Sequence, residues 1–67
     1  MSWNYRVLRY SDGFMSLFEV YYDDAGKPTN ITRDPVAPGG DTLEEVRSDL
    51  EHMLDALKKP VLNYDDF

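Results

Sequence analysis

The first third of the chain alternates between polar and large apolar residues in the way β-strands do. Aromatic and β-branched residues are dense in residues 3–10 and 14–22, which predicts two strands. The intervening Asp12-Gly13 is a strong signal for a hairpin with a type I′ turn. The second strand would present two faces, with Phe14, Ser16, Phe18, Val20 and Tyr22 on one and Met15, Leu17, Glu19 and Tyr21 on the other.

A weaker third strand is predicted at about residues 29–33, after a turn at 23–28 that is rich in acids, glycine and proline. Pro35 and Pro38 follow it closely. Because proline cannot donate a hydrogen bond to a sheet, this strand should lie at an edge or become irregular before the next element.

The apolar spacing changes to steps of three and four at about residues 42–59, which predicts one amphipathic helix. Asp41 or Thr42 would cap its start, with Glu44 or Glu45 reaching back as in a capping box. Pro60 ends it. The apolar stripe that should cover the sheet consists of Leu43, Val46, Leu50, Met53, Leu54 and Leu57.

These elements predict a single α+β domain over residues 1–67. Its three-stranded antiparallel sheet, a meander, would be covered on one face by a single C-terminal helix in the order β-β-β-α. Val61 and Leu62 should fold back onto the core, ahead of an acidic tail at 63–67.

The net charge of the chain limits the classes of partner that we expect. The 67 residues carry a formal net charge of -6, and residues 41–67 contribute -5 of it, from eight acids against three bases. Direct nucleic-acid binding needs the opposite sign and is disfavoured. A basic protein partner suits this field.

No segment of the sequence has the composition of a signal peptide or the ~20 apolar residues of a membrane span. We therefore expect a cytoplasmic protein with no membrane contact. The chain has no cysteine, so a disulfide or a thiolate metal site is excluded.

The residues that could carry chemistry are few, and we expect no enzyme activity, cofactor or metal site. His52 is the single histidine, and it shares a helix face with Ser48 without the turn and donor pocket that a catalytic triad needs. Asp23 and Asp24 lack the ligand spacing of a calcium loop. Asp41 at the helix start would repel a phosphate from Gly39-Gly40.

Two surfaces are candidates for protein binding. A bare aromatic sheet face is the first, most simply used for a homodimer, because tyrosine and tryptophan are typical of interfaces. Its candidate residues are Trp3, Tyr5, Tyr10, Tyr21 and Tyr22. The second is an acidic helix face formed by Glu44, Glu45, Asp49, Glu51 and Asp55.

The predicted elements follow the order β-β-β-α, and the connection from sheet to helix reads Gly40-Asp41-Thr42-Leu43-Glu44-Glu45. This combination resembles the N-terminal domain of HicB-type antitoxins. That resemblance implies a partial RNase-H-like fold and a role in neutralising a toxin. HicB antitoxins usually add a further strand and a DNA-binding domain after the helix, so this chain looks like the core module alone.

The whole chain also resembles a group of small uncharacterised bacterial proteins. The similar segments are Trp3-Asn4-Tyr5-Arg6-Val7, Glu19-Val20-Tyr21-Tyr22-Asp23 and Lys59-Pro60-Val61-Leu62. This second resemblance implies no activity.

Two functions are therefore expected. The first is a non-enzymatic, HicB-like, antitoxin-like module that neutralises or regulates a basic partner protein. The alternative is an acidic nucleic-acid mimic, similar to phage-encoded anti-CRISPR inhibitors, whose helix carboxylates imitate a phosphate backbone.

Overall fold

A computed structural model describes residues 2–67 of the chain. Strands β1 (Ser2–Arg9), β2 (Met15–Tyr22) and β3 (Pro28–Ile31) come first. Helix α1 (Leu43–Asp55) then continues into a 3₁₀ turn at Ala56–Lys58. The chain closes with strand β4 (Leu62–Asn63) and a second 3₁₀ turn at Tyr64–Asp66.

The α+β class is confirmed, but the sheet differs from the predicted meander. It is a curled, mixed sheet of four strands in the order β3-β2-β1-β4. β4 runs parallel to β1, with Leu62 opposite Leu8 and Asn63 opposite Arg9. A strand of two residues is too short to produce a periodic pattern, so the sequence could not reveal it.

The hairpin between β1 and β2 forms as predicted, but its turn is not type I′. Tyr10 closes the loop, accepting from the Gly13 amide at 2.9 Å and donating to the Phe14 carbonyl at 2.8 Å. Gly13 has a φ of 93°, while no residue other than glycine has a positive φ within residues 2–67. A type I′ turn needs positive φ at both central residues, so the loop has three residues with glycine in the left-handed position.

The helix begins as the capping pattern predicts. The Thr42 side chain accepts a hydrogen bond from the Glu45 amide at 3.1 Å, and the Glu45 carboxylate accepts one from the Asp41 amide at 3.1 Å. Gly40 lies so close to this turn that a Cβ on it would be 2.5 Å from the Glu45 Cβ. The glycine is therefore required by close packing between the loop and the helix.

The main core lies on the face of the sheet opposite the helix. Leu8, Phe18 and Val20 have no solvent exposure, and they project from one side of the β1–β2 pair. The segments after β2 and after the helix cover them, through the partly buried Ile31, Leu62 and Tyr64. The predicted return to the core is confirmed for Leu62 but not for Val61, which is exposed. The acidic tail contributes an aromatic cover through Tyr64.

The helix stripe covers the sheet less fully than predicted. Met53 of α1 and Ala56 of the following 3₁₀ turn are buried, with 4% and 1% of their surface exposed. Four leucines of the stripe remain exposed, by 89% at Leu43, 49% at Leu50, 61% at Leu54 and 66% at Leu57. The helix is rotated so that Asp49, Met53 and Ala56 face the sheet, which leaves the leucines on its flank.

Candidate protein-binding groove

Leu50, Leu54 and Leu57 form one wall of an apolar groove of about 290 Å³, and the exposed Leu43 lies outside its lining. The groove lies beside α1 on the helix-covered side of the sheet. Its lining side chains are Leu17, Val36, Pro38, Leu50, Met53, Leu54 and Leu57. All seven are apolar, so the groove favours apolar side chains and offers no acid, base or nucleophile for chemistry.

The wall opposite the helix is held in place by hydrogen bonds to the edge of β2. The Val36 amide donates to the Leu17 carbonyl at 2.9 Å, and the Thr32 amide donates to the Glu19 carbonyl at 3.0 Å. The loop after β3 therefore follows the strand and keeps Val36 beside Leu17. The irregular course predicted near Pro35 allows the loop to bring Val36 beside Leu17.

The helix wall is positioned by Asp49. The Tyr5 hydroxyl donates a short hydrogen bond to Asp49 Oδ1, and the Gly39 amide donates to Asp49 Oδ2 at 3.0 Å. These two bonds join β1, the glycine loop and α1 at one carboxylate. They fix the rotation of the helix and thereby leave its leucines facing outward.

The electrostatics of this junction follow from the same bonds. The hydrogen bond to Asp49 raises the pKa of Tyr5 to about 12, with burial and the neighbouring negative charge adding to it. The donors Tyr5 and Gly39 lower the pKa of Asp49. Both shifts favour a neutral tyrosine bonded to an ionised aspartate.

The five aromatic candidates do not form one surface. Trp3, Tyr5 and Tyr21 lie on the helix side of the sheet, where Trp3 is directly opposite Tyr21. Tyr5 is engaged by the helix and Tyr21 donates to Glu19 Oε1 at 2.6 Å. A single bare aromatic face is therefore not present.

The remaining two candidates belong to the other side of the sheet. Tyr10 and Tyr22 pack against the main core. Tyr22 also donates to Asn4 Oδ1 at 2.7 Å and accepts from Arg6 at 3.0 Å. A role of any of the five in binding stays a prediction.

The acidic candidates are also divided. Asp49 faces the sheet, Glu45 bonds the loop, and Asp55 pairs with Lys58 at 3.3 Å. Glu44 and Glu51 are exposed on the helix. The carboxylates thus do not form one continuous array, although their charge still surrounds the helix.

Sequence reasoning did not identify the groove. Helical periodicity predicts that Leu50, Leu54 and Leu57 cover the sheet, because it cannot distinguish a buried stripe from an exposed one. The sequence around Val36 and Pro38 indicates only that the chain becomes irregular after the third strand, and nothing in it indicates a groove. The one feature of the sequence that points to the groove is that the helix has more apolar residues than a three-stranded sheet can cover.

Residues 2–67 also bear on metal binding and on membrane spans. No cluster of three or more histidine, cysteine or acidic side chains could hold a metal ion there. None of the helices in that part of the chain has the length and apolar character to cross a membrane. His52 lies exposed on α1.

Comparison with protein-family models, with curated proteins and with solved structures finds no match to this chain.

Proposed function

We propose that this protein is a non-enzymatic binding module, of the HicB-like kind, that neutralises or regulates a partner protein through the leucine-walled groove. The groove itself carries the proposal. An apolar concavity on so small a chain is stabilised when another apolar surface covers it, at roughly 25 cal/mol for each Å² removed from water.

The charge around the groove indicates the partner's chemistry. Asp41, Glu44 and Glu51 lie exposed on or beside the helix that forms one wall, within a chain of net charge -6. A partner segment with apolar side chains and basic flanking residues would complement both properties. The cytoplasm is the expected compartment for that encounter.

The test is capture of partners from extracts of the native host by tagged protein, with washes at low and then high salt. Leu54→Gln removes an exposed groove side chain without a charge change. Phe14→Gln is the matched control, because Phe14 is 66% exposed and Leu54 61%, and Phe14 is not part of the groove lining. We expect a partner that binds through an apolar segment with basic flanking residues to stay bound at high salt. It should be lost with Leu54→Gln but not with Phe14→Gln.

The nucleic-acid-mimic hypothesis predicts a different pattern. Binding through carboxylates would weaken steeply with salt and would weaken when the exposed Glu44 and Glu51 are changed to glutamine. Salt-sensitive capture that is unaffected by Leu54→Gln would therefore contradict the groove proposal and favour the mimic.

A further inference from the structure

The exposed leucines of α1 and of the 3₁₀ turn that continues it have a regular spacing. Leu43 and Leu50 on α1 and Leu57 on the 3₁₀ turn that continues it are seven residues apart. Leu54 lies four residues after Leu50, and Leu50, Leu54 and Leu57 line the groove. We call these four residues the leucine row. Residues at intervals of seven share one side of a helix and form the contact line of paired helices. The row is thus suited to another helix.

We propose that the groove is occupied by α1 and the 3₁₀ turn after it from a second copy of this chain, with the two segments antiparallel about a two-fold axis near Leu50. This inference rests on the proposed function, because it names the partner of the same groove. Each copy carries a net charge of -6 as a whole, but the segment that would enter the groove has the chemistry argued above, an apolar row followed by the basic Lys58 and Lys59.

The antiparallel arrangement matches apolar residues along the whole row. With Leu50 at the axis, residues whose numbers sum to 100 lie opposite each other. Leu43 then meets the partner's Leu57, and Leu54 meets the partner's Val46. A two-fold pair uses the same patch on both copies, so each match occurs twice.

Charge selects the antiparallel direction. The helix is acidic in its first turn, at Glu44 and Glu45, whereas the 3₁₀ turn that continues it ends at the basic Lys58, which also contacts Asp55 of its own chain at 3.3 Å. Antiparallel pairing brings Lys58 within one turn of the partner's Glu44 at both ends of the interface. A parallel pair would instead place the two acidic ends together and the two basic ends together.

The size of the core supports a second copy. Only Leu8, Phe18, Val20, Met53 and Ala56 are buried among the apolar side chains of residues 2–67. A chain of this length has difficulty forming a sufficient core alone, and self-association is a usual remedy. Covering the leucine row would roughly double the number of buried large apolar side chains.

The first experiment is sedimentation velocity on the purified chain over a wide concentration range. We expect a concentration-dependent dimer whose dissociation constant rises at least about tenfold in Leu50→Gln and in Leu54→Gln. Phe14→Gln should leave it unchanged, and circular dichroism should show that all three variants keep their helix.

The second experiment tests the direction of the helices by charge exchange. Glu44→Lys and Lys58→Glu should each weaken self-association, since each places like charges together at both ends of the pair. Mixing the two variants in equal amounts should restore a mixed dimer to within about threefold of the wild-type affinity.

The outcomes separate this inference from the proposed function. A chain that stays monomeric but captures another protein through Leu54 would overturn the second-copy inference alone. A monomer with no capture dependent on Leu54 would overturn both. A dimer insensitive to the leucine variants, or variants that do not recover on mixing, would contradict the antiparallel helix pair.

Discussion

Tyr5 on the first strand donates its hydroxyl hydrogen to the carboxylate of Asp49 on the helix, 44 residues later in the chain. Because Asp49 also accepts from the Gly39 amide, a single side chain sets how α1 is rotated on the sheet. That rotation buries Met53 and Ala56 and leaves Leu50, Leu54 and Leu57 to form the groove wall.

This junction should make stability depend on pH at both extremes. The pKa of Tyr5 is raised from 10.0 to about 12, so its contribution is complete below pH 10 and is lost as pH rises towards 12. The pKa of Asp49 is lowered from 3.8, so its contribution is present above that pH and is lost as pH falls below it.

Tyr5→Phe should therefore lower the urea midpoint at pH 7 and reduce the loss of stability between pH 10 and 12. The measurement is urea unfolding across that range. In an Asp49→Asn background the same substitution should cost much less, since the ionised acceptor is already gone. Equal costs in both backgrounds would mean that the bond contributes nothing.

Gly40→Ala should destabilise the protein by about 1–3 kcal/mol, through overpacking against the first turn of the helix. The added Cβ would lie 2.5 Å from the Glu45 Cβ and 3.1 Å from the Val46 nitrogen. Gly39→Ala is the control, because a Cβ there has no atom within 4 Å. The measurement is the midpoint of thermal unfolding of both variants. Equal midpoints would contradict the close approach of Gly40 to the first turn of the helix.

Tyr64→Ala should cost about 2–3 kcal/mol, somewhat less than the ~3–5 kcal/mol typical of a fully buried aromatic residue. Its ring centre lies 4.9 Å from that of Tyr10 and 5.7 Å from that of Phe18. Tyr64→Phe keeps these ring contacts and should be nearly neutral. If Tyr64→Ala were also neutral in chemical denaturation, the C-terminal segment would not be part of the core.

The leucine row and the main core should respond differently to truncation. Phe18→Ala should cost about 3–5 kcal/mol at any protein concentration, because it opens a cavity in the core. Leu54→Ala should stay within about 0.5 kcal/mol of wild type in dilute solution, with a larger deficit at high concentration where the dimer forms. Urea unfolding at two concentrations separates these effects.

Local chemistry was readable from the sequence alone. The Asp12-Gly13 hairpin and the Thr42 cap with Glu45 depend on neighbours a few residues apart, and the structure confirms the position of each. The α-helix predicted to reach about Lys59 ends at Asp55 and continues as a 3₁₀ turn to Lys58. The alternation along β2 likewise placed Phe18 and Leu17 on opposite faces. These features follow from backbone geometry, which nearby residues determine.

Only the tertiary structure decided which face held the core and what remained uncovered. β4 pairs with β1 across more than 50 residues, and the bond from Tyr5 to Asp49 spans 44. A helical period states that six residues share a stripe, but the rotation of the helix on the sheet determines which of them are buried. That rotation depends on long-range hydrogen bonds, and it turned a predicted core stripe into an exposed row of leucines.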